Sequence, residues 1–232
     1  MAGSVWQDPA MDFRDVARTT FACRDFTEDP VDDATLYRIL ETARFAPSGG
    51  NRQGWRVIVV KDPDDRAELA RLCQPAWNVY IAQRRLGENP WNSIDPTAVD
   101  VAAAEQQHSP ATLLDELVNA PAVVVVGVDL RVVASFDKDL DRVGIISGAS
   151  VYPFVWNLLL AARNEGLGGT LTTFLAGREA EAQKLLGLPD YVAVAAMVPL
   201  GKPKKQLTKL TRAAVQDWAF VGRFDGPPLS AG

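Results

Sequence analysis

The sequence has a single histidine, His108, and two cysteines, Cys23 and Cys73, in 232 residues. One histidine leaves no zinc site built on paired histidines and allows at most one Ser–His or Cys–His catalytic pair. His108 stands in a polar segment, so we interpret it as a solvated loop residue and expect neither a metal site nor such a pair. Two cysteines are too few for the disulfide framework of a small secreted domain, and we interpret both as reduced thiols of a cytoplasmic protein.

The chain also lacks an excess of basic residues and long apolar runs: 24 Lys and Arg stand against 29 Asp and Glu. The formal net charge is −5, which argues against a generally basic surface for nucleic acid. No stretch approaches the ~18–20 apolar residues of a membrane span, and residues 1–10 lack the apolar run of a secretory signal. The near-apolar residues 143–163 include Ser147, Ser150 and Asn157 and predict a buried helix instead. We therefore expect neither nucleic acid nor a membrane as a partner.

The most informative stretch is residues 46–55, a loop rich in Gly, Ser, Asn and Gln between a predicted helix and a predicted strand. Glycine lets the backbone approach a ligand closely because it has no Cβ. Short amide and hydroxyl side chains add hydrogen-bonding groups with little bulk. A loop held between two rigid elements is a good place for a binding site, although a tight turn stabilised by local hydrogen bonds explains the same residues.

The helix before this loop has the clearest pattern in the chain. Its apolar residues recur at helical spacing from Leu36 to Ala43, and Asp32 or Asp33 can cap its N-terminus. Pro47 is expected to end it, because the residue before a proline disfavours the helical region.

The rest of the chain mixes predicted helices and strands. Apolar runs predict strands at residues 57–60, 122–128 and 191–200, the first buried on both faces. Helices are predicted at residues 12–21, 65–73, 113–118, 147–164 and 178–186, and a loop or short strand at 168–174. The order gives no clean series of βαβ units, and neither a G-x-G-x-x-G helix start nor a Walker A motif is present, so a Rossmann or P-loop nucleotide site is excluded.

Residues 74–111 form a long segment of weak periodicity with prolines at positions 75, 90 and 96. A loop of this length inside one domain is usually functional or disordered. Its aromatic residues, Trp77, Tyr80 and Trp91, argue against simple disorder.

Three stretches together resemble the FMN-dependent nitroreductase family. The first is Arg24-x-Phe26, followed by Asp29-Pro30-Val31 and a helix. The second matches the family pattern A-P-S-x-x-N-x-Q-x-W with Ala46, Pro47, Ser48, Asn51, Gln53 and Trp55. The third is the apolar run at residues 158–163 followed by Gly166-Leu167-Gly168. The combination is specific, and the resemblance covers about residues 16–224.

The resemblance implies a single domain over residues 1–232 with an α+β fold: a central mixed, mainly antiparallel sheet flanked by helices. It implies a homodimer with FMN at the interface, a C-terminal extension at residues 202–232 exchanged between subunits, and an active-site lid at residues 75–111. The implied reaction is ping-pong: hydride passes from NADH or NADPH to flavin N5, and a nitroaromatic, quinone or similar small aromatic acceptor is then reduced. A relative that dehalogenates, dehydrogenates or cleaves flavin, and a flavin-binding protein without turnover, are the alternatives.

The same resemblance implies roles for the residues that hold the flavin ring. Arg24 takes the position of a cation beside N1 and C2=O, where a fork of N–H donors suits a planar edge. The backbone N–H of Thr173 or Phe174 takes the position of a donor to N5. Other ring contacts fall on two stretches: Pro47, Ser48, Gly49 and Asn51 from the partner's loop, and Leu171 and Thr172 on the covered face.

The flavin phosphate needs cations, and here the sequence departs from the family. The usual Arg-Arg-Ser run before the Arg24 position is replaced by Thr20-Phe21-Ala22. We expect Arg18 and Thr19, slightly upstream, to substitute for it. In the C-terminal segment, Lys209 and Arg212 fall where the family has basic phosphate ligands.

No side chain is needed as a catalytic group, because the cofactor carries the chemistry. Trp77, Tyr80 and Trp91 are the candidate substrate-binding residues, since their rings can stack on an aromatic acceptor or a nicotinamide. Core or interface packing is the alternative for all three.

Overall fold

The protein is described by a computed structural model that covers residues 11–110 and 112–231. The expectation for residues 1–10, and those that touch Ala111 and Gly232, lie outside the described residues. The sheet has four strands: β1 Trp55–Val60, β2 Ala122–Asp129, β3 Gly168–Gly169 and β4 Val192–Gly201.

The strands are ordered β1-β2-β4-β3, and all three pairings are antiparallel. The register places Val57 opposite Val126, and a bulge between Val126 and Gly127 shifts the pairing of β2 with β4. A single parallel bridge joins Ala22 to Gly169 at the β3 edge. The sheet is therefore antiparallel in its strands and mixed through this one bridge.

Seven helices surround the sheet in the described residues: α1 Phe13–Thr19, α2 Asp33–Ala43, α3 Pro63–Arg85, α4 Val101–Glu105, α5 Thr112–Asn119, α6 Tyr152–Asn164 and α7 Glu179–Leu186. Aspartates cap the first three, as when Asp32 accepts from the backbone N–H of Thr35 at 2.7 Å. Gly187 ends α7 in the left-handed conformation. No helix among the described residues has both the length and the apolar character to cross a membrane.

Strand β2 is the centre of the core, and it is buried along its whole length. Because side chains alternate across a strand, its valines face two separate apolar clusters. Val124 and Val126 pack with residues of α2 and α6 on one face. Val123 and Val125 pack with residues of α3 and α5 on the other. Helices therefore cover both faces of the sheet, as predicted.

Helix α3 corrects the prediction for the middle of the chain. The sequence predicted a helix that ended at Cys73, yet α3 continues to Arg85 with Pro75 inside it. Proline removes one backbone hydrogen bond, but Ala76 and Val79 are buried and hold the following turns against the core. Packing therefore outweighs the local cost of the proline.

Three smaller expectations also need correction. Strand β1 lies at an edge of the sheet, so only Val60 of its run is fully buried, and the prediction of burial on both faces was wrong. The predicted helix at 147–164 is divided into a 3₁₀ turn, Ile146–Ser150, and α6. Pro47 was expected to end helix α2, but the helix already ends at Ala43.

The two glycines of β3 allow neighbouring chain to approach more closely than a Cβ would permit. A Cβ on Gly169 would lie 2.7 Å from the carbonyl oxygen of Pro199 and 2.7 Å from Leu200 Cδ2. A Cβ on Gly168 would lie 2.8 Å from Cys23 Cβ. Glycine is therefore required here for space, not for an unusual backbone angle.

We expect Gly169→Ala to lower the free energy of unfolding by about 3 kcal/mol, because the methyl group would overlap a backbone carbonyl that cannot rotate away. Urea denaturation measures this change. Gly187→Ala is the matched control: its Cβ meets open space, and its φ of +65° leaves only backbone strain, worth about 1 kcal/mol. A loss at Gly169 no larger than the control's would contradict the steric argument.

Candidate functional site

The principal cleft lies beside β3 and has a volume of about 470 Å³, within the usual range for small-molecule sites. Its walls come from the segment before α2, from α3, from α5 and from the chain after β3. It is lined by Arg24, Trp77, Tyr80, Glu116, Thr170, Leu171, Thr172, Thr173 and Phe174.

The segment after β3 forms one wall. Thr172 is fixed to Met197 by two backbone hydrogen bonds of 2.9 and 2.8 Å, so the segment continues along the edge of β4. Thr170 and Thr172 point inward and are buried, whereas Leu171 is 37% exposed. The wall therefore presents Leu171 as an apolar surface between two anchored residues.

The end of this wall offers backbone donors. Thr173 precedes the 3₁₀ turn Phe174–Arg178. Within the described chain, the N–H groups of Thr173 and Phe174 have no hydrogen-bond acceptor. Unpaired backbone N–H groups at the edge of a cleft are suited to an acceptor atom on a ligand.

A second wall is aromatic and adjoins the first at Phe174. Trp77 and Tyr80 are three residues apart on α3 and therefore share a face of the helix. Their rings are stacked, with centroids 5.4 Å apart and planes 12° apart, and both meet Phe174 edge to face at 5.8 Å. Trp77 Nε1 donates to the carbonyl of Pro110 at 3.1 Å. These contacts fix both half-buried rings without covering them.

Arg24 and Glu116 are the charged residues of the lining. The backbone next to Arg24 is anchored where the N–H of Cys23 donates to Gly169 at 3.0 Å, and Arg24 Nη1 donates to the carbonyl of Ala22 at 3.3 Å. Burial raises the pKa of the Glu116 carboxyl, and the nearby charge of Arg24 opposes that rise. The sequence analysis missed Glu116, because one acidic residue on a short amphipathic helix carries no distinguishing pattern.

A second cleft of about 390 Å³ is basic. It is lined by Ala17, Arg18, Thr208, Lys209, Leu210 and Arg212. The two segments are held together by Gln206 Nε2, which donates to the carbonyl of Thr19 at 3.0 Å, and by the Lys204 N–H, which donates to Asp25 at 3.1 Å. Three of the four residues expected at the phosphate therefore share one cleft.

Thr19 borders this cleft but is not part of its lining. Its hydroxyl donates to the carbonyl of Asp15 at 2.6 Å and accepts from Arg163 Nε at 3.0 Å. The neighbouring Thr20 hydroxyl is also engaged, with the carbonyl of Val16. Both hydroxyls thus stabilise the end of α1.

The glycine-rich loop at residues 46–54 lies at the β1 edge, on the other side of the sheet from β3. Gly49 N–H donates to Ser150 Oγ at 3.1 Å, and Ser48 Oγ accepts from Gln53 N–H at 2.9 Å. Asn51 has a φ of +53°, a left-handed conformation that asparagine tolerates. Neither cleft includes Pro47, Ser48, Gly49 or Asn51 in its lining.

Trp91 is also separate from both clefts. It lies on the loop after α3, and 54% of the residue is exposed. Its backbone N–H donates to Gln83 Oε1 at 3.2 Å. The structure thus brings two of the three candidate aromatic residues into the cleft.

Known proteins resemble this chain over most of its length. The model of the nitroreductase family matches residues 17–202. An NADH dehydrogenase of Thermus thermophilus is 29% identical over 209 residues, covering 85% of this chain and 90% of that protein. An FMN reductase [NAD(P)H] of Bacillus subtilis is 25% identical over 189 residues, covering 82% and 65%.

Solved structures have the same fold. The NADPH:FMN oxidoreductase of Vibrio harveyi, solved in complex with NAD⁺, aligns with a TM-score of 0.60 at 21% identity, covering 85% of this chain and 71% of that one. This likeness confirms the predicted α+β fold, and the match over residues 17–202 confirms the predicted family. The chain belongs to the nitroreductase family.

Proposed function

We propose that the protein is an FMN-dependent oxidoreductase that takes hydride from NADH or NADPH and reduces a small aromatic acceptor such as a nitroaromatic or a quinone. The observation that carries this proposal is the cleft that Arg24 and residues 170–174 line together with Trp77 and Tyr80. Membership of the nitroreductase family and relatives named NADH dehydrogenase and FMN reductase support it.

The lining of the cleft fits an isoalloxazine ring. A flavin needs donors along its polar edge and at N5, and an apolar surface under one face. Arg24 supplies a cation for the polar edge, the N–H groups of Thr173 and Phe174 supply donors, and Leu171 supplies the apolar surface. When bound there, the flavin supplies the hydride and electron transfer chemistry.

The basic cleft fits the phosphate of FMN. Arg18, Lys209 and Arg212 come together there from distant parts of the sequence, and clustered cations are the usual ligands of a phosphate. Thr20, Phe21 and Ala22 contribute no charge. The three cations of this cleft thus compensate for the missing Arg-Arg-Ser run.

A second copy of the chain would complete the site. The loop of Pro47, Ser48, Gly49 and Asn51 lies at the far edge of the sheet, so within one chain it does not reach the principal cleft. Large apolar side chains are exposed on several segments and would be available to such an interface: Tyr37 71%, Phe45 74%, Phe136 80%, Trp218 62% and Phe224 90%. We propose a homodimer in which this loop, and the extension at residues 202–232, contact the other subunit's flavin site.

Within the cleft, the protein's own residues bind and orient. The paired rings of Trp77 and Tyr80 can stack on the nicotinamide of the donor and then on the aromatic acceptor, so that both use one position in turn. Holding each reactant in place removes the entropic cost of a bimolecular encounter, an effect worth up to ~7–11 kcal/mol. Residues 75–85 of the expected lid belong to α3 and pack in the core, so we propose the loop that carries Trp91 as the lid.

Absorbance spectroscopy of the purified protein tests the proposed function. We expect a bound flavin spectrum, bleaching by NADH or NADPH under anaerobic conditions, and rapid recovery when a nitroaromatic or a quinone is added. If the protein only binds flavin without turnover, we expect bleaching to be followed by slow recovery. A flavin that neither nicotinamide bleaches would overturn the proposal and favour a different flavin reaction.

Arg24→Ala is expected to weaken FMN binding about 10- to 100-fold, because it removes a charge-assisted contact worth about 1.5–3 kcal/mol, and to lower the reduction potential of the flavin. Flavin fluorescence titration and a redox titration measure the two effects. Arg85→Ala, at the exposed end of α3, is the control. An unchanged dissociation constant and potential would remove Arg24 from the flavin site.

Lys209→Ala is expected to weaken FMN binding about tenfold but to leave riboflavin binding nearly unchanged, because riboflavin lacks the phosphate. Calorimetric titration of both flavins provides the comparison. Lys205→Ala changes a lysine of the same segment outside the basic cleft and should affect neither. Equal losses for FMN and riboflavin would show that Lys209 does not act on the phosphate.

A further inference from the structure

Among the described residues, Glu116 has neither a hydrogen-bond donor nor an ion-pair partner. It lies half-buried on α5 in the lining of the principal cleft. Within the described part of the chain, its carboxylate accepts no hydrogen bond, and it forms no ion pair with Arg24, the other charged residue of the lining. A partly buried carboxylate without a partner is unfavourable, so a ligand that supplies the missing charge would be favoured there.

The surroundings of Glu116 strengthen this argument. Burial raises the pKa of its carboxyl, Asp25 and Asp115 raise it further, and Arg24 opposes the rise. In the proposed function, Arg24 faces the polar edge of the flavin, where its charge is matched by the cofactor. Glu116 is then the charged residue of the lining that is left for a second ligand.

The aromatic wall has the same preference. The faces of Trp77 and Tyr80 carry the negative part of the ring quadrupole, and a cation placed over such a face is attracted to it. The two rings are already stacked and fixed by Phe174 and by the hydrogen bond to Pro110. A cation bound there would pay little to order them.

We propose that this cleft selects acceptors that carry a positive charge, that is, aromatic compounds bearing an ammonium or quaternary ammonium group, with Glu116 as the counter-ion and Trp77 and Tyr80 as the aromatic surface. This proposal rests on the proposed function and narrows its acceptor class. Glu116 is thereby a specificity-determining residue: it affects which acceptor binds, while the electrons still come from NADH or NADPH through the flavin and the protons from NAD(P)H and water.

Three nitrobenzenes of similar size test the selectivity: (4-nitrobenzyl)trimethylammonium, 4-nitrobenzyl alcohol and 4-nitrophenylacetate. We expect kcat/KM to fall by about tenfold from the cation to the neutral compound, and further to the anion. The three differ in intrinsic reducibility, so the decisive quantity is the cation-to-neutral ratio of a variant relative to the wild type, in which that difference cancels.

Glu116→Gln keeps the size of the side chain and removes its charge, and it should lower the cation-to-neutral ratio about tenfold. Asp115→Asn, the adjacent exposed carboxylate on α5, removes the same charge outside the lining and should retain the ratio. A Glu116→Gln ratio equal to that of the wild type, or a wild type that prefers the anion, would overturn the proposal.

Calorimetry with a compound that cannot be reduced separates this proposal from the proposed function. Benzyltrimethylammonium should bind the flavin-loaded wild type about tenfold more tightly than benzyl alcohol, and Glu116→Gln should remove that difference. Failure of NADH and NADPH to bleach the flavin, with this binding intact, would overturn only the reaction. Turnover of the neutral nitro compound with no preference for either cation would overturn only the selectivity.

Discussion

The close approach of backbone at Gly168 and Gly169 is the constraint on which the candidate site depends. Only glycine fits at these two positions of β3, because β4 lies against one side and Ala22–Cys23 against the other. That approach fixes where the chain leaves the sheet, and so where Leu171 and the N–H groups of Thr173 and Phe174 stand. It also brings Arg24 to the same cleft, since the bridge to Ala22 is two residues away. One steric condition thus positions both the backbone N–H donors of the wall and the charge of Arg24.

The two clefts differ in charge. The basic cleft gathers three cations, and the contacts of residues 202–206 with residues 19–29 keep it in place; Lys202 pairs with Asp29 at 3.1 Å and Lys204 with Asp25 at 2.9 Å. These pairs are exposed, so each adds little stability alone. Their value is positional, because they hold the C-terminal segment beside α1. The principal cleft instead balances one cation against one carboxylate and is dominated by aromatic and apolar surface.

Much of this could be predicted from the sequence where a local rule decides the outcome. Asp32 as a cap, Gly187 as a stop and the valine run of β2 follow from capping and periodicity. The family motifs indicated Arg24 and residues 171–173, and the structure brings these into one cleft. The length of α3 could not be predicted, because burial of Ala76 and Val79 offsets Pro75 and no local rule includes that packing. Glu116 could not be identified for the same reason: its place in the cleft depends on α3 and on the segment after β3, which only the fold brings next to it.

The glycine-rich loop does not reach the principal cleft within one chain. Its internal hydrogen bonds and the contact of Gly49 with Ser150 make it a rigid feature at the β1 edge. A ligand that touched both this loop and the principal cleft would have to pass around the whole four-stranded sheet of one subunit. Two copies remove that difficulty, because a loop at the far edge of one sheet can lie beside the β3 edge of the other. In the proposed homodimer, any exposed aromatic residue that the contact buried would add to the stability of that arrangement.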